Sequence, residues 1–293
     1  MTIIETHFAK KLENPIRFQE YGVGIFKTIP TKSGIKKAIK KELIFIDGIL
    51  ATTSKFISGG EIITLYPSEN SSSFERLKLD IEVLFEDDYV AIIYKPAGIL
   101  VSGNKFVTIA NGLAQNLKKS PQTDAVKPQP VHRLDYPTSG LVLVGKTSTA
   151  IQKLGELFLE KEIQKTYFAI SIGKMESQGK IDFPIDTKKA LTEFKVLHTV
   201  KSERFEFLNL VKLLPKTGRK HQLRKHLLAI GNPILGDKEY FLEGKVLNGK
   251  GLYLHASTLE FIHPFTKENI LITKELPKKF TKIFKTVIPK KNE

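Results

Sequence analysis

The stretch Val131–Thr147, VHRLDYPTSGLVLVGKT, decides how this chain folds and where its chemistry sits. Leu141–Val144 alternates two branched apolar residue types and is closed by Gly145, which predicts a strand buried on both faces. Ahead of it, Tyr136-Pro137 and Ser139-Gly140 mark a tight polar turn, and Asp135 enters that turn directly behind His132 and Arg133. A carboxylate carried on a turn that is anchored to a buried strand is an aimed carboxylate. A plainer reading stands beside this one: Asp135 caps backbone amides of its own turn, the commonest work of Asp in a loop. Gly140–Thr147 also spells G-x-x-x-x-G-K-T, the phosphate-cradling loop of nucleotide-hydrolysing enzymes. That cradle needs a loop whose amides point inward, whereas Leu-Val-Leu-Val is β-prone and spends its amides on a sheet ladder. Nucleotide hydrolysis is therefore set aside.

The 293 residues are 41% hydrophobic and 26% charged, which suits a globular protein of one or two domains with a sizeable core. With no cysteine there is no disulfide, thiolate metal site or thiol nucleophile. The start, MTIIETHFAKKL, lacks an apolar signal core, and no run reaches membrane-spanning length, so a cytoplasmic protein is expected. Lys and Arg number 46 against 31 Asp and Glu, a net charge of +15, which suits a polyanionic partner. The cations cluster. Lys32, Lys36, Lys37, Lys40 and Lys41 form one group without an acid among them, and Lys216, Arg219, Lys220, Arg224 and Lys225 form another. Nucleic acid is the favoured partner. His221 and His226 are five apart, with no HExxH pattern and no carboxylates paired to them, so no metal site is expected.

Thr31–Leu43 predicts a short helix capped by Thr31 or Ser33, with Ile35 and Ile39 inward and lysines outward. Short strands follow, punctuated by Asp47-Gly48 and Gly59-Gly60 as turns. This helix-then-hairpin order, over about residues 17–66, resembles the small RNA-binding module called the S-four-like fold. Its first helix should lie in ENPIRFQEYGVGIFK, where Pro15, Gly22 and Gly24 make helix formation poor. The polar run Ser68–Ser73 reads as a linker, placing a boundary near residue 75. Beyond it strands dominate, from IEVLFED to RFEFLNLVKLL, with a helix over Ser148–Leu159 and a closing amphipathic helix over Pro277–Val287 that points Phe280, Ile283, Phe284 and Val287 inward.

HRLDYPTSGLVLVGK resembles the HRLDxxTSG segment of the pseudouridine synthases that act on ribosomal and transfer RNA, the RluA type. Further segments agree in order: DDYVAIIYKPAGILVSG upstream, then KTYFAISIGKMESQGKIDFPID, TGRKHQLRKHLLAIGNPILGDKEY and LYLHASTLEFIHPF downstream, so that the likeness spans roughly Ile81–Phe265. Lys220 stands where the family usually has Thr, and Asn232 where it often has His; neither is expected to touch the chemistry.

The resemblance implies an α+β catalytic domain over residues 76–293, with a mixed, mostly antiparallel sheet, flanking helices and a central cleft, after the S-four-like module and linker at residues 1–75. It implies a monomeric enzyme that isomerises uridine to pseudouridine in structured RNA, ribosomal RNA ahead of transfer RNA, without membrane, nucleotide, metal or other cofactor. Asp135 matches the catalytic aspartate and Arg224 the arginine that pairs with it; unit charges about 4 Å apart at an effective dielectric near 20 attract by roughly 4 kcal/mol, so the pair belongs at a cleft and not in the core. Tyr167 matches the aromatic that stacks on the everted uracil, Leu223 the apolar residue that closes the pocket, and Arg133 braces RNA where the base has left. Eversion costs a few kcal/mol and stacking on one ring returns about 1–3 kcal/mol, so Tyr167 offsets much of it. His132 is expected to be structural.

Overall fold

The computed structural model describes residues 3–67 and 77–284, which form parts of two compact units, Met1–Arg76 and Leu77–Glu293. The proposed linker Ser68–Ser73 lies outside the described residues.

In the first unit, β1 (Glu5–Phe8), β3 (Ile44–Ile46), β4 (Ile49–Leu50) and β6 (Ile62–Leu65) make an antiparallel sheet in the order β1-β6-β3-β4. A separate pair joins β2 (Ile16–Arg17) to β5 (Phe56–Ile57). Between these strands lie α1 (Phe18–Tyr21) and α2 (Lys32–Lys40). Thr31, not Ser33, caps α2, its hydroxyl accepting the Gly34 amide at 3.1 Å. Ile35, Ala38 and Ile39 enter the core, while Lys36, Lys37 and Lys40 face outward. The poor helix over residues 13–27 is reduced to the single turn α1, which stops at Gly22. Asp47 and Gly48, both at positive φ, turn β3 into β4 as expected. Gly59-Gly60 does not form a hairpin turn, because β5 pairs with β2 and not with β6. Gly59 instead slides past the backbone of Lys11, where an added Cβ would lie 2.4 Å from the Lys11 Cα. Its lack of a side chain serves a close crossing.

The second unit is built on a ten-stranded sheet. Its strands are β7 (Val83–Glu86), β8 (Val90–Lys95), β9 (Ala125–Pro130), β10 (Ser139–Thr147), β11 (Gln164–Ile172), β12 (Gln178–Ile181), β13 (Thr192–Ser202), β14 (Glu206–Pro215), β15 (Leu254–Ile262) and β16 (Asn269–Thr273). The spatial order is β12-β13-β14-β11-β15-β10-β8-β7, with β9 pairing to β10 and β16 to β15. The β10–β15 pair is parallel and the other named pairs are antiparallel, so the sheet is mixed and mostly antiparallel. Every residue of β10 is buried, and GLVLVGKT is strand throughout, its amides committed to neighbours and not to a phosphate. Its lysine, Lys146, pairs with Glu86 at 2.7 Å.

Flanking the sheet are α3 (Ile109–Asn116), α4 (Ser148–Glu160) and α5 (Gln222–Ala229). Helix α4 begins at Thr147, whose hydroxyl caps the Ala150 amide, and ends at Lys161 in a left-handed conformation. The closing helix is shorter than the apolar spacing predicts: α6 spans Lys278–Thr281. Phe280 and Phe284 are fully buried and Ile283 packs against the same core, whereas Val287 lies outside the described residues.

Candidate active site

The turn that carries Asp135 is fastened from behind. Lys95, at the end of β8, is completely buried and donates to the carbonyls of Thr138 (2.7 Å), Pro96 (3.0 Å) and Tyr136 (3.3 Å), while the Gly98 amide donates to Tyr136 at 2.8 Å. Burial brings the Lys95 ammonium down to about 8, against the opposing pull of the Asp135 charge. The Thr138 amide closes the turn onto the Asp135 carbonyl at 3.1 Å. Among the described residues no backbone amide donates to the Asp135 carboxylate, so the plain capping role is not the one it plays.

That carboxylate opens into a cleft of about 480 Å³ whose walls include Arg133, Asp135, Lys165, Tyr167, Leu223 and Arg224. The five side chains singled out from the sequence, Arg133, Asp135, Tyr167, Leu223 and Arg224, therefore share one cavity. Tyr167 lines the cleft and Phe168 does not, although both side chains pack against one core cluster and Tyr167 touches a second. Burial, helped by the Asp135 charge, raises the Tyr167 phenol, so it is a neutral ring beside an acid. Arg133 is exposed at the rim, and Leu223 is buried in the wall. His132 is structural: its Nε2 accepts the Leu143 amide at 3.0 Å, and burial, with the Lys165 charge, pushes it down to about 3.

The expected pairing of Arg224 with Asp135 needs correcting in its weight. Arg224 Nη1 lies 3.8 Å from Asp135 Oδ2, but its tight partner is Asp237, which takes Nε and Nη2 at 2.7 Å each. Glu239 takes Nη2 as well, at 3.2 Å, and the Tyr240 ring lies 4.7 Å beneath the guanidinium. The arginine itself is almost fully buried, so half of the pair does sit in the core. Burial alone would depress the guanidinium; the Asp237 hydrogen bonds and the surrounding acids more than restore it. Asp237 also accepts the Glu239 and Tyr240 amides, which ties the clamp to its own loop.

Further residues belong to the cleft without having been foreseen there. Lys165 lines it beside Tyr167, and burial lowers its ammonium. Its position two residues before Tyr167 on one strand was a usable signal. His221 was weighed as a metal ligand only, yet its Nε2 stands 3.7 Å from Asp135 Oδ1. Lys220, expected to lie apart from the chemistry, is exposed on the same wall. Gln222 holds that wall in place, accepting from Thr217 and Arg219 and donating to Leu191 and Thr192. Asn232 is away from it, bonding the carbonyls of Ile172 and Lys174. Among the described residues no group of three or more His, Cys, Asp or Glu is placed to hold a metal ion, and no helix is long and apolar enough to cross a membrane.

Comparison with known proteins identifies the family. Residues 89–229 match the family model described as RNA pseudouridylate synthase, a span that contains all five foreseen cleft residues and stops short of Asp237. A ribosomal large subunit pseudouridine synthase D from Nitrosomonas europaea is 32% identical over 274 residues, covering 84% of this chain and 77% of that protein. A tRNA pseudouridine synthase C from Haemophilus influenzae is 31% identical, covering 69% and 96%. The solved structure of human RNA pseudouridylate synthase domain containing 4 superposes with a TM-score of 0.55 at 26% identity, covering 68% of this chain and 90% of that one. Shared sequence over most of the chain, a shared fold and a cleft built around one aspartate converge, and this chain belongs to the RNA pseudouridylate synthase family.

Proposed function

We propose that the cleft isomerises uridine in ribosomal RNA, with transfer RNA as the alternative substrate, and that Asp135 begins the reaction. The observation that carries this reading is the Asp135 carboxylate itself: unspent on its own turn, faced by Arg224, and sharing a cavity with Tyr167. In the reaction the bond between uracil N1 and ribose C1′ breaks and a bond between C5 and C1′ forms, while the proton on C5 leaves and N1 gains one. No redox equivalent or group donor enters that balance, so the reading needs no cofactor. Tyr167 stacks on the everted base, Leu223 closes the pocket over it, and Arg133 fills the gap left in the RNA. Relatives named as ribosomal large subunit pseudouridine synthases and relatives named as tRNA pseudouridine synthases both match, and both substrates stay in the test.

The same proposal makes residues 1–75 an S-four-like module that grips RNA phosphates through the outward lysines of α2, and has the enzyme work as a monomer in the cytoplasm. Total RNA from a strain lacking this gene, incubated with purified enzyme and mapped for pseudouridine, tests the central assignment. Wild type should install the modification and Asp135→Asn should not; equal product from both would refute the role of Asp135.

A further inference from the structure

We infer that His221 is a positioning residue for Asp135, holding one carboxylate oxygen while Arg224 holds the other; the inference rests on the reading of Asp135 above. The two contacts come from the start of one helix. His221 Nε2 stands 3.7 Å from Asp135 Oδ1, and Arg224 Nη1 stands 3.8 Å from Asp135 Oδ2. Both distances are long for hydrogen bonds, and catalytic contacts of this kind tighten in the reacting complex.

The histidine is built to face that way. It is the N-cap of α5 and sits at φ 56, a left-handed backbone that L residues adopt only at a cost, and which here turns the ring into the cleft. Its cap position supplies no side-chain hydrogen bond to the helix, so the ring is free for other work. Nδ1 lies 3.0 Å from the Tyr240 hydroxyl and 3.4 Å from Glu239 Oε1, and the two rings meet edge to face. Proton placement follows from those partners. Tyr240 also hydrogen-bonds the Glu239 carboxylate, so its proton has two acceptors in reach; when it goes to Nδ1, a neutral His221 ring carries its own proton on Nε2, toward Asp135. A doubly protonated ring donates to Glu239 or Tyr240 and still presents Nε2–H to Asp135. The remaining tautomer would set a bare nitrogen against a carboxylate, which is repulsive. Tyr240 is itself fixed from a second side, its ring lying 4.7 Å from the Arg224 guanidinium. The chain Asp237, Arg224, Tyr240, His221 thus ends with two donors aimed at one carboxylate. Whichever Asp135 oxygen bonds to carbon or takes a proton, the other keeps a donor, and the side chain does not rotate away during the step.

Two substitutions separate this role from a structural one. His221→Asn suits the left-handed backbone and offers a polar group where Nδ1 was, but does not reach Asp135. His221→Gln places an amide nitrogen where Nε2 was. The full-length enzyme and both variants would be given RNA labelled with tritium at uracil C5, isolated from a strain lacking the gene, and tritium release would be followed in single turnover. We expect His221→Asn to release tritium about tenfold or more slowly and His221→Gln within about threefold of wild type, with RNA dissociation constants unchanged within about twofold. A wild-type rate for His221→Asn, a loss confined to RNA affinity, or equal losses in both variants would overturn the inference. Asp135→Asn in the same assay keeps the two readings apart: full release by that variant would sink the Asp135 assignment itself, whereas its silence leaves the outcome to His221.

Discussion

At Arg224, burial and charge meet in one side chain. An arginine with 5% of its side chain exposed is stable as a cation because Asp237, with none of its side chain exposed, takes two of its donors at 2.7 Å. Asp237→Asn takes from that guanidinium its fully buried ionic partner, and we predict a loss of about 3 kcal/mol in unfolding free energy, with slower chemistry as the arginine drifts from Asp135. Glu239→Gln removes a contact whose carboxylate is 56% exposed, and should cost under about 1 kcal/mol. Urea unfolding of the two variants checks the contrast, and equal losses would show that Asp237 is not the anchor. The five residues named from sequence came from motifs around Asp135, Tyr167 and Arg224 that resemble those of a known family, and all five line one cleft. Asp237 was not, although GDKEY was in plain view: which acid reaches a buried arginine thirteen positions away is settled by how the loop after α5 folds back, and no periodicity encodes that.

Strand β10 shows why whole elements were easier to read than partners. A run of Leu and Val between glycines has one good solution, a strand covered on both faces, and β10 has all its residues buried. The long antiparallel strands β11 and β14 carry apolar runs that end up largely covered, while β13 shows the two-residue alternation of a half-exposed strand. Short elements were not: α1 and α6 are single turns, where packing of Phe18, Phe280 and Phe284 outweighs helix spacing. Gly59-Gly60 looked like a hairpin because the sequence shows a flexible pair but not the neighbouring Lys11 backbone it must pass. The glycine at the second position of β10 permits a similar prediction. Gly140 lies at φ 135, and an added Cβ would stand 2.2 Å from the Ala256 carbonyl oxygen across the parallel β10–β15 pair. Gly140→Ala should cost more than about 3 kcal/mol, whereas Gly98→Ala, also at positive φ but with open space around it, should cost about 1 kcal/mol. Chemical denaturation of the pair tests whether the close approach or the backbone angle dominates.

Across the whole molecule, charge governs two measurable responses. With a net charge of +15 and, on the proposed reading, contacts mainly to phosphates, RNA affinity should fall steeply and log-linearly with salt. Lys36→Glu with Lys40→Glu should weaken binding and flatten that slope while leaving single-turnover chemistry on bound RNA nearly unchanged; unaltered affinity would remove α2 from the RNA path. Stability should respond to acid. Burial lowers His132 to about 3 and His255 to about 4 from an ordinary 6.5, so the folded chain keeps both neutral while the unfolded chain protonates them. Between about pH 4 and 6.5 the unfolded state binds more protons, so stability rises with pH there, by at most about 1.4 kcal/mol per pH unit for each histidine, and is lost on acidification. Urea midpoints across that range should slope accordingly and flatten in His132→Gln with His255→Gln; a level wild-type profile would show the two rings are not neutral inside. The division into Met1–Arg76 and Leu77–Glu293 carries a consequence of its own. On the proposed reading, one RNA meets two tethered surfaces, and once the first is engaged the second acts at a local concentration in the millimolar range. Avidity then lets each grip stay weak enough to let go in turn, so that a modified transcript leaves by stepwise detachment and not by one slow rupture.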